Sequence, residues 1–271
     1  MSAAMAMQTR AVEPVDAALL RVEGLSRNFG SVQAVDAIDF AMADGQIKAV
    51  IGPNGAGKTT LFDMIAGVTP PSGGSILFDG RPIERLSAWR RAGLGIARTF
   101  QTLQIFQDMT VLENVMLGRY PRGESGWVAA LLRLPSSRHE ERREREHAYA
   151  LLERVGLTAR AGDRAGDLSF GEQKLLELAR AVATEPRLLL LDEPAAGLSH
   201  AGSEQMMEIV AELNRNGLAV LLVEHNMRMV MELSHDILVI GNGRFIAEGT
   251  PDYVRNHPDV IAAYLGDDDD D

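Results

Sequence analysis

The chain has no cysteine among its 271 residues, which excludes disulfides, thiolate nucleophiles and any zinc or iron–sulfur centre built on cysteine. Basic charge is also short. Lys and Arg number 27 against 38 Asp and Glu, a net charge of −11, so the global basic footprint of a nucleic-acid binder is missing. Part of the excess acid is the terminal run 267–271, all Asp, which reads as a solvated tail. Long apolar runs are absent: the stretches 188–191 and 218–223 fall far below the roughly 20 residues of a spanning helix. Residues 1–14 show no basic segment leading into an apolar one, so no secretory signal is expected and a cytoplasmic location is. Against these absences stand 46% apolar and 24% charged residues, the balance of a folded chain with a sizeable core.

Residues 1–17 lack periodicity and are expected to form a flexible leader. Short strands are expected at 19–22, 32–42, 47–51, 75–77 and 96–98, with loops at Phe29-Gly30-Ser31 and Asp44-Gly45. A helix over 61–66 is closed by Gly67, the residue type that ends helices in a left-handed conformation. The pattern is helical from 111 to 155, and its run 138–147 carries Arg and Glu with two His, the mark of a solvated helix face. A further helix over 171–184 ends at Glu185-Pro186, and apolar strands at 188–191 and 219–223 flank a helix at 203–214. Strands alternating with helices point to a largely parallel α/β sheet, interrupted by a helical insertion at about 100–185.

The densest signal is Gly52-Pro53-Asn54-Gly55-Ala56-Gly57-Lys58-Thr59-Thr60, between an expected strand and an expected helix. It fits G-x-x-x-x-G-K-[ST] at every fixed position. Glycines let successive backbone N–H groups converge on phosphate oxygens, and the helix start adds the positive end of its dipole. Lys58 suits the β- and γ-phosphates, and the Thr59 hydroxyl suits Mg²⁺. The apolar strand before Asp192-Glu193 delivers two carboxylates to the edge where open α/β sheets bind ligands. Asp192 is the candidate metal group and Glu193 the candidate for polarising water. The next apolar strand ends in Glu224-His225, which places His225 beside them if the two strands are neighbours.

Leu168-Ser169-Phe170-Gly171-Glu172-Gln173 precedes a helix and allows two readings. Ser169 and Glu172 have the spacing of a capping box. The stretch also resembles the signature of ABC ATPases, usually Leu-Ser-Gly-Gly-Gln, with Phe170 and Glu172 departing from it. The remaining family elements follow in order. Phe29 resembles the aromatic that stacks on adenine, Gln101 the Q-loop glutamine at Mg²⁺ and water, Ala196-Gly197-Leu198-Ser199 the D-loop, and His225 the switch histidine. The stretches 96–101, 109–115, 193–198 and 224–227 and the end 248–266 are similar to the branched-chain amino acid importer ATPases of the LivG type. Urea or amide importers and lipopolysaccharide-export ATPases share much of this pattern.

The resemblance implies an α/β fold: a P-loop NTPase core of ABC ATPase type over 18–266, with an inserted α-helical subdomain and an antiparallel β subdomain. It implies ATP and Mg²⁺ as ligands and hydrolysis coupled to transport. Lys58, Thr59, Gln101, Asp192, Glu193 and His225 then belong to one subunit, and Ser169 and Gly171 close the site from the facing one. The implied partners are two transmembrane permease subunits, a second ATPase subunit (the same chain or a similar one) and, indirectly, an extracytoplasmic solute-binding protein. The implied place is the cytoplasmic face of the inner membrane. The surface from Gln101 to Asn114, with Phe106 and Met109, is the candidate dock; Phe106, Val111 and Leu112 read equally well as subdomain core. A soluble ABC ATPase acting on DNA or ribosomes is the alternative of another class, and the acidic balance gives it no support.

Overall fold

Residues 18–99, 103–119 and 135–265 are described by this computed structural model. The leader, Gln101, residues 120–134 of the insertion and the acidic tail lie outside these ranges. Strands β1 (Ala18–Phe29) and β2 (Val32–Ala43) form a long antiparallel hairpin. Beyond β3 (Ile47–Ile51) and α1 (Lys58–Ala66), strands β4 (Gly73–Phe78) and β5 (Arg81–Pro82) complete a four-stranded sheet ordered β2-β1-β4-β5. The first strand runs past the expected 19–22 because its partly exposed second half still pairs with β2, Arg27 opposite Val35 and Phe29 opposite Val32.

The second sheet follows α2 (Ala88–Gly93) with β6 (Ile96–Arg98). Then come α3 (Val111–Arg119), α4 (Pro135–Arg154), α5 (Phe170–Ala183), β7 (Leu188–Asp192), α6 (His200–Arg215), β8 (Ala219–Val223) and α7 (Met227–Leu233). The hairpin β9 (Asp236–Gly241) and β10 (Arg244–Gly249) and the helices α8 (Pro251–Arg255) and α9 (Pro258–Leu265) end the described chain. The strand order is β10-β9-β3-β8-β7-β6, parallel throughout except for β10. β3, β7 and β8 are buried at every residue, as expected of parallel strands covered on both faces. Their register sets Val50 level with Val223 and Val223 level with Asp192, so three strands end together at one carboxyl edge.

The insertion packs α3, α4 and α5 through Val115, Leu152, Leu175 and Leu176 among others. Gly118 permits this closeness, since a Cβ there would sit 2.4 Å from the Arg180 carbonyl oxygen. In the charged run, Arg142, Arg143, Arg145 and Glu146 face solvent. Glu144 is instead drawn inward by Arg119 of α3. Val111 and Leu112 are core, and Asn114 is fully buried, which removes it from the surface expected there. The Asn114 side chain staples the preceding loop, accepting from Phe106 N at 2.9 Å and donating to the carbonyls of Phe106 and Thr110, each at 3.0 Å. Phe106 remains half exposed.

Candidate nucleotide site

The loop between β3 and α1 closes on itself by Ala56 N donating to the Pro53 carbonyl at 3.2 Å. Two glycines are dictated by close approach. A Cβ on Gly52 would lie 2.0 Å from the Ile240 carbonyl oxygen of β9, and one on Gly57 2.2 Å from that of Ala34 in β2. Gly57, at φ 96°, caps α1 without any side-chain hydrogen bond, and the first turn holds no acid. The N–H groups of that turn and the positive dipole end therefore meet no negative charge from the helix itself, the condition in which a helix start attracts phosphate. Lys58 Nζ folds back onto the loop, donating to the carbonyls of Gly52 at 2.7 Å and Pro53 at 2.8 Å. Asn54, Gly55 and Thr59 are exposed, Thr60 is half-buried and Ala56 is buried.

Asp192 is buried at the end of β7 and accepts from Arg98 Nη2 at 2.9 Å. Arg98 Nη1 pairs with Asp63 of α1, so one guanidinium joins β6, β7 and the helix that carries the loop. Burial raises the Asp192 pKa above the usual carboxylate value; Arg98 opposes this, while the negative charges of Glu193 and Asp63 add to it. Arg98 ends the expected strand 96–98, and no sequence signal links it to partners 35 and 94 residues away.

Glu193 occupies the left-handed region at φ 49°, a sparsely populated conformation for a residue with a Cβ. Its N–H donates to Val223 O at 2.9 Å, and its carbonyl accepts from Ala196 N at 3.1 Å and Lys174 Nζ at 3.4 Å. These bonds hold the turn that aims its carboxylate at His225, whose Nε2 lies 3.1 Å from Oε1. The structure thus brings Glu193 and His225 together across adjacent strand ends.

Ser169 is the N-cap of α5 in a complete capping box with Glu172. Its hydroxyl donates to Glu172 Oε2 at 2.7 Å, and Arg160 Nη1 reaches the same carboxylate at 3.0 Å. Those bonds, first from the Ser169 side chain and backbone, hold the Glu172 carboxyl below its ordinary pKa. The half-exposed Phe170 ring packs on the loop after β7: a Cβ on Gly197 would come within 2.8 Å of it, and one on Gly171 within 3.7 Å of Leu198. Phe29, also half exposed, stands at the tip of the first hairpin with the Arg27 guanidinium 4.6 Å over its ring. Gln101 lies outside the described residues.

A glycine loop on a parallel sheet, with carboxylates at the same edge, is the arrangement of a P-loop nucleotide-binding protein. The family model described as ABC transporter matches residues 35–196, and one described as branched-chain amino acid ATP-binding cassette transporter matches 246–270. The high-affinity branched-chain amino acid transport ATP-binding protein BraF of Pseudomonas aeruginosa is 41% identical over 249 residues, 92% of this chain and 98% of its own. LivG of Escherichia coli, of the same description, gives the same figures. The crystal structure of an ATP-binding cassette of an ABC transporter in its ADP conformation superposes with a TM-score of 0.79 at 32% identity, over 92% of this chain and 99% of that one. The chain belongs to the ABC transporter family of ATP-binding cassettes.

Proposed function

We propose that this chain is the ATP-hydrolysing subunit of an importer of branched-chain amino acids. As an ABC ATPase it binds and hydrolyses nucleotide and works as a dimer with membrane permease subunits. Among the described residues no helix is long and apolar enough to cross a membrane. The observation that carries the hydrolytic reading is the shared edge: the Gly52–Thr59 loop, Asp192, and the paired Glu193 and His225 lie at the ends of β3, β7 and β8. The solute class rests on the names of the relatives and on the match over 246–270.

In this reading the backbone from Gly52 to Thr60 cradles the phosphates, and Lys58 exchanges the Gly52 and Pro53 carbonyls for β- and γ-phosphate oxygens. Phe29 offers its free face to adenine. Glu193 orients and polarises the attacking water, while His225 holds the Glu193 carboxylate and faces the γ-phosphate. Ser169 and Gly171 serve the facing subunit's nucleotide, and their bonds and contacts here are to their own helix and the 197–198 turn. Dimer closure over ATP drives the permeases from the cytoplasmic face of the inner membrane, and an extracytoplasmic binding protein delivers the solute.

The donors suit Mg²⁺. Among the described residues no three or more acidic or His side chains form a metal cage. A single buried carboxylate, Asp192, with the Thr59 hydroxyl and Gln101 fits an ion that keeps waters and binds substrate phosphates. When bound, that ion neutralises charge developing on the phosphates. Because burial raises the Asp192 pKa, protons compete for this carboxylate above the usual carboxylate range. The Mg²⁺ concentration for half-maximal ATPase activity is therefore expected to rise as pH falls. In Arg98→Met, which loses the opposing cation, the rise should begin at higher pH. Magnesium titrations across a pH series check this; identical onsets in both proteins would remove Asp192 from the metal site.

The transport assignment is tested by purifying tagged Glu193→Gln chain from its native membranes in mild detergent with Mg-ATP. Two permeases, a second ATPase and a receptor that binds leucine, isoleucine or valine are the expected companions. A receptor for urea or amides would overturn the solute, and ribosomal or DNA-associated proteins alone would overturn transport.

A further inference from the structure

Glu224 follows β8 directly, between Val223 and His225, and is buried to 4% exposure. Its carboxylate is filled by backbone donors. Oε1 accepts from Ala195 N at 2.7 Å, and Oε2 accepts from His225 N at 2.8 Å and Asn226 N at 2.9 Å. The three amides belong to two loops. Ala195 lies in the turn after β7, where its carbonyl accepts from Leu198 N and Glu193's from Ala196 N, both at 3.1 Å. His225 and Asn226 start the segment after β8, and Asn226 caps α7 through Met229 N at 3.2 Å.

We infer that Glu224 is a positioning residue for hydrolysis: it bolts the turn carrying Glu193 to the segment carrying His225 and so fixes the distance between their side chains. The inference rests on reading Glu193 and His225 as the hydrolytic pair. Its physical basis is that hydrogen bonds to an ionised acceptor are short and about twice as strong as neutral ones, more so away from water. Glu193 sits in a strained conformation that its surroundings must enforce. The Glu193 N–H to Val223 bond anchors one side of the turn, and Glu224 anchors the other at Ala195. A neutral isostere cannot do the same. Whichever way a glutamine amide turns, its NH₂ meets at least one backbone N–H, so one loop is released while the volume is kept.

The test is ATP turnover by the full chain carrying Glu224→Gln, His225→Ala, both changes together, or Glu193→Gln. The expected result for Glu224→Gln is a kcat lower by roughly 10- to 100-fold with KM for ATP and equilibrium ATP binding within about twofold. In the His225→Ala background the same change should cost less than it does in the unaltered chain, because the ring is gone and only the release of the turn carrying Glu193 is left to act. Full kcat in Glu224→Gln, a loss that multiplies fully with His225→Ala, or a matching loss of ATP affinity would each overturn the inference. If Glu193→Gln and His225→Ala themselves retain turnover, the reading of the pair fails instead. If Glu224→Gln does not fold, Glu224→Asp, which keeps the charge but shortens its reach, is judged by the same criteria.

Discussion

Glu193→Gln is expected to bind ATP as the unaltered chain does and to hydrolyse it roughly 10²- to 10⁴-fold more slowly, the usual contribution of a positioned acid–base group. The geometry separates the two properties. In the proposed site nucleotide is held by the Gly52–Thr59 loop and the start of α1, where Gly57 packs on β2, Gly52 on β9 and Lys58 on the loop itself. Glu193 lies two strands away, at the end of β7, and its backbone is held by Val223, Ala196 and Lys174 through groups that the substitution leaves in place. The amide keeps the shape and a contact to His225 but loses the charge that the proposed mechanism uses to polarise water. Single-turnover hydrolysis beside equilibrium nucleotide binding checks this. Turnover within a few-fold of normal would remove Glu193 from that role and leave His225 without its partner in the chemistry.

The parts of the site that could be read from the chain are those encoded locally. The glycine loop has a fixed spacing, and Asp192 and His225 follow uninterrupted apolar strands that are buried as such runs should be. Ser169 and Glu172 carry both readings in four residues, and the capping box is present. The parts that stayed hidden depend on contacts across long sequence separations. Arg98 ends a three-residue strand with no pattern to mark it, yet it ties α1 to β7. Glu224 reads as one more acid after a strand until the turn at Ala195 folds over it. Lys48 interrupts an apolar strand, and its two partners lie 188 and 200 residues further on. The hairpin β9–β10 is a different case, since Asn242-Gly243, both at positive φ, is a strong local turn signal between two β-rich runs. The hairpin lies outside the expected strands although its own residues carry that signal.

Lys48→Met is expected to destabilise the fold by about 3–5 kcal/mol, the usual cost of removing one partner from a buried ionic cluster. Lys48 is fully buried in β3, with Asp236 of β9 at 2.6 Å and Glu248 of β10 also bound to its ammonium. Methionine fills much of the volume, but it removes the ammonium that two carboxylates of 7% and 11% exposure both bind. At the size of this chain such a loss lowers the melting temperature by roughly 10 °C. Replacing all three, as Lys48→Met with Asp236→Val and Glu248→Leu, should recover most of the stability because no uncompensated charge remains. Thermal unfolding of the single and triple variants decides the matter, and a single variant as stable as the parent would show that the cluster is not what joins these strands. The site depends on this joint because Gly52 packs directly on the Ile240 carbonyl of β9, the strand that Asp236 ties to β3. ATP at about 100 times its dissociation constant should add about 2.7 kcal/mol to any form whose loop is intact. An equal gain in Lys48→Met would place the cluster's effect on the sheet alone; a smaller one would mean that the position of β9 against Gly52 also sets nucleotide affinity.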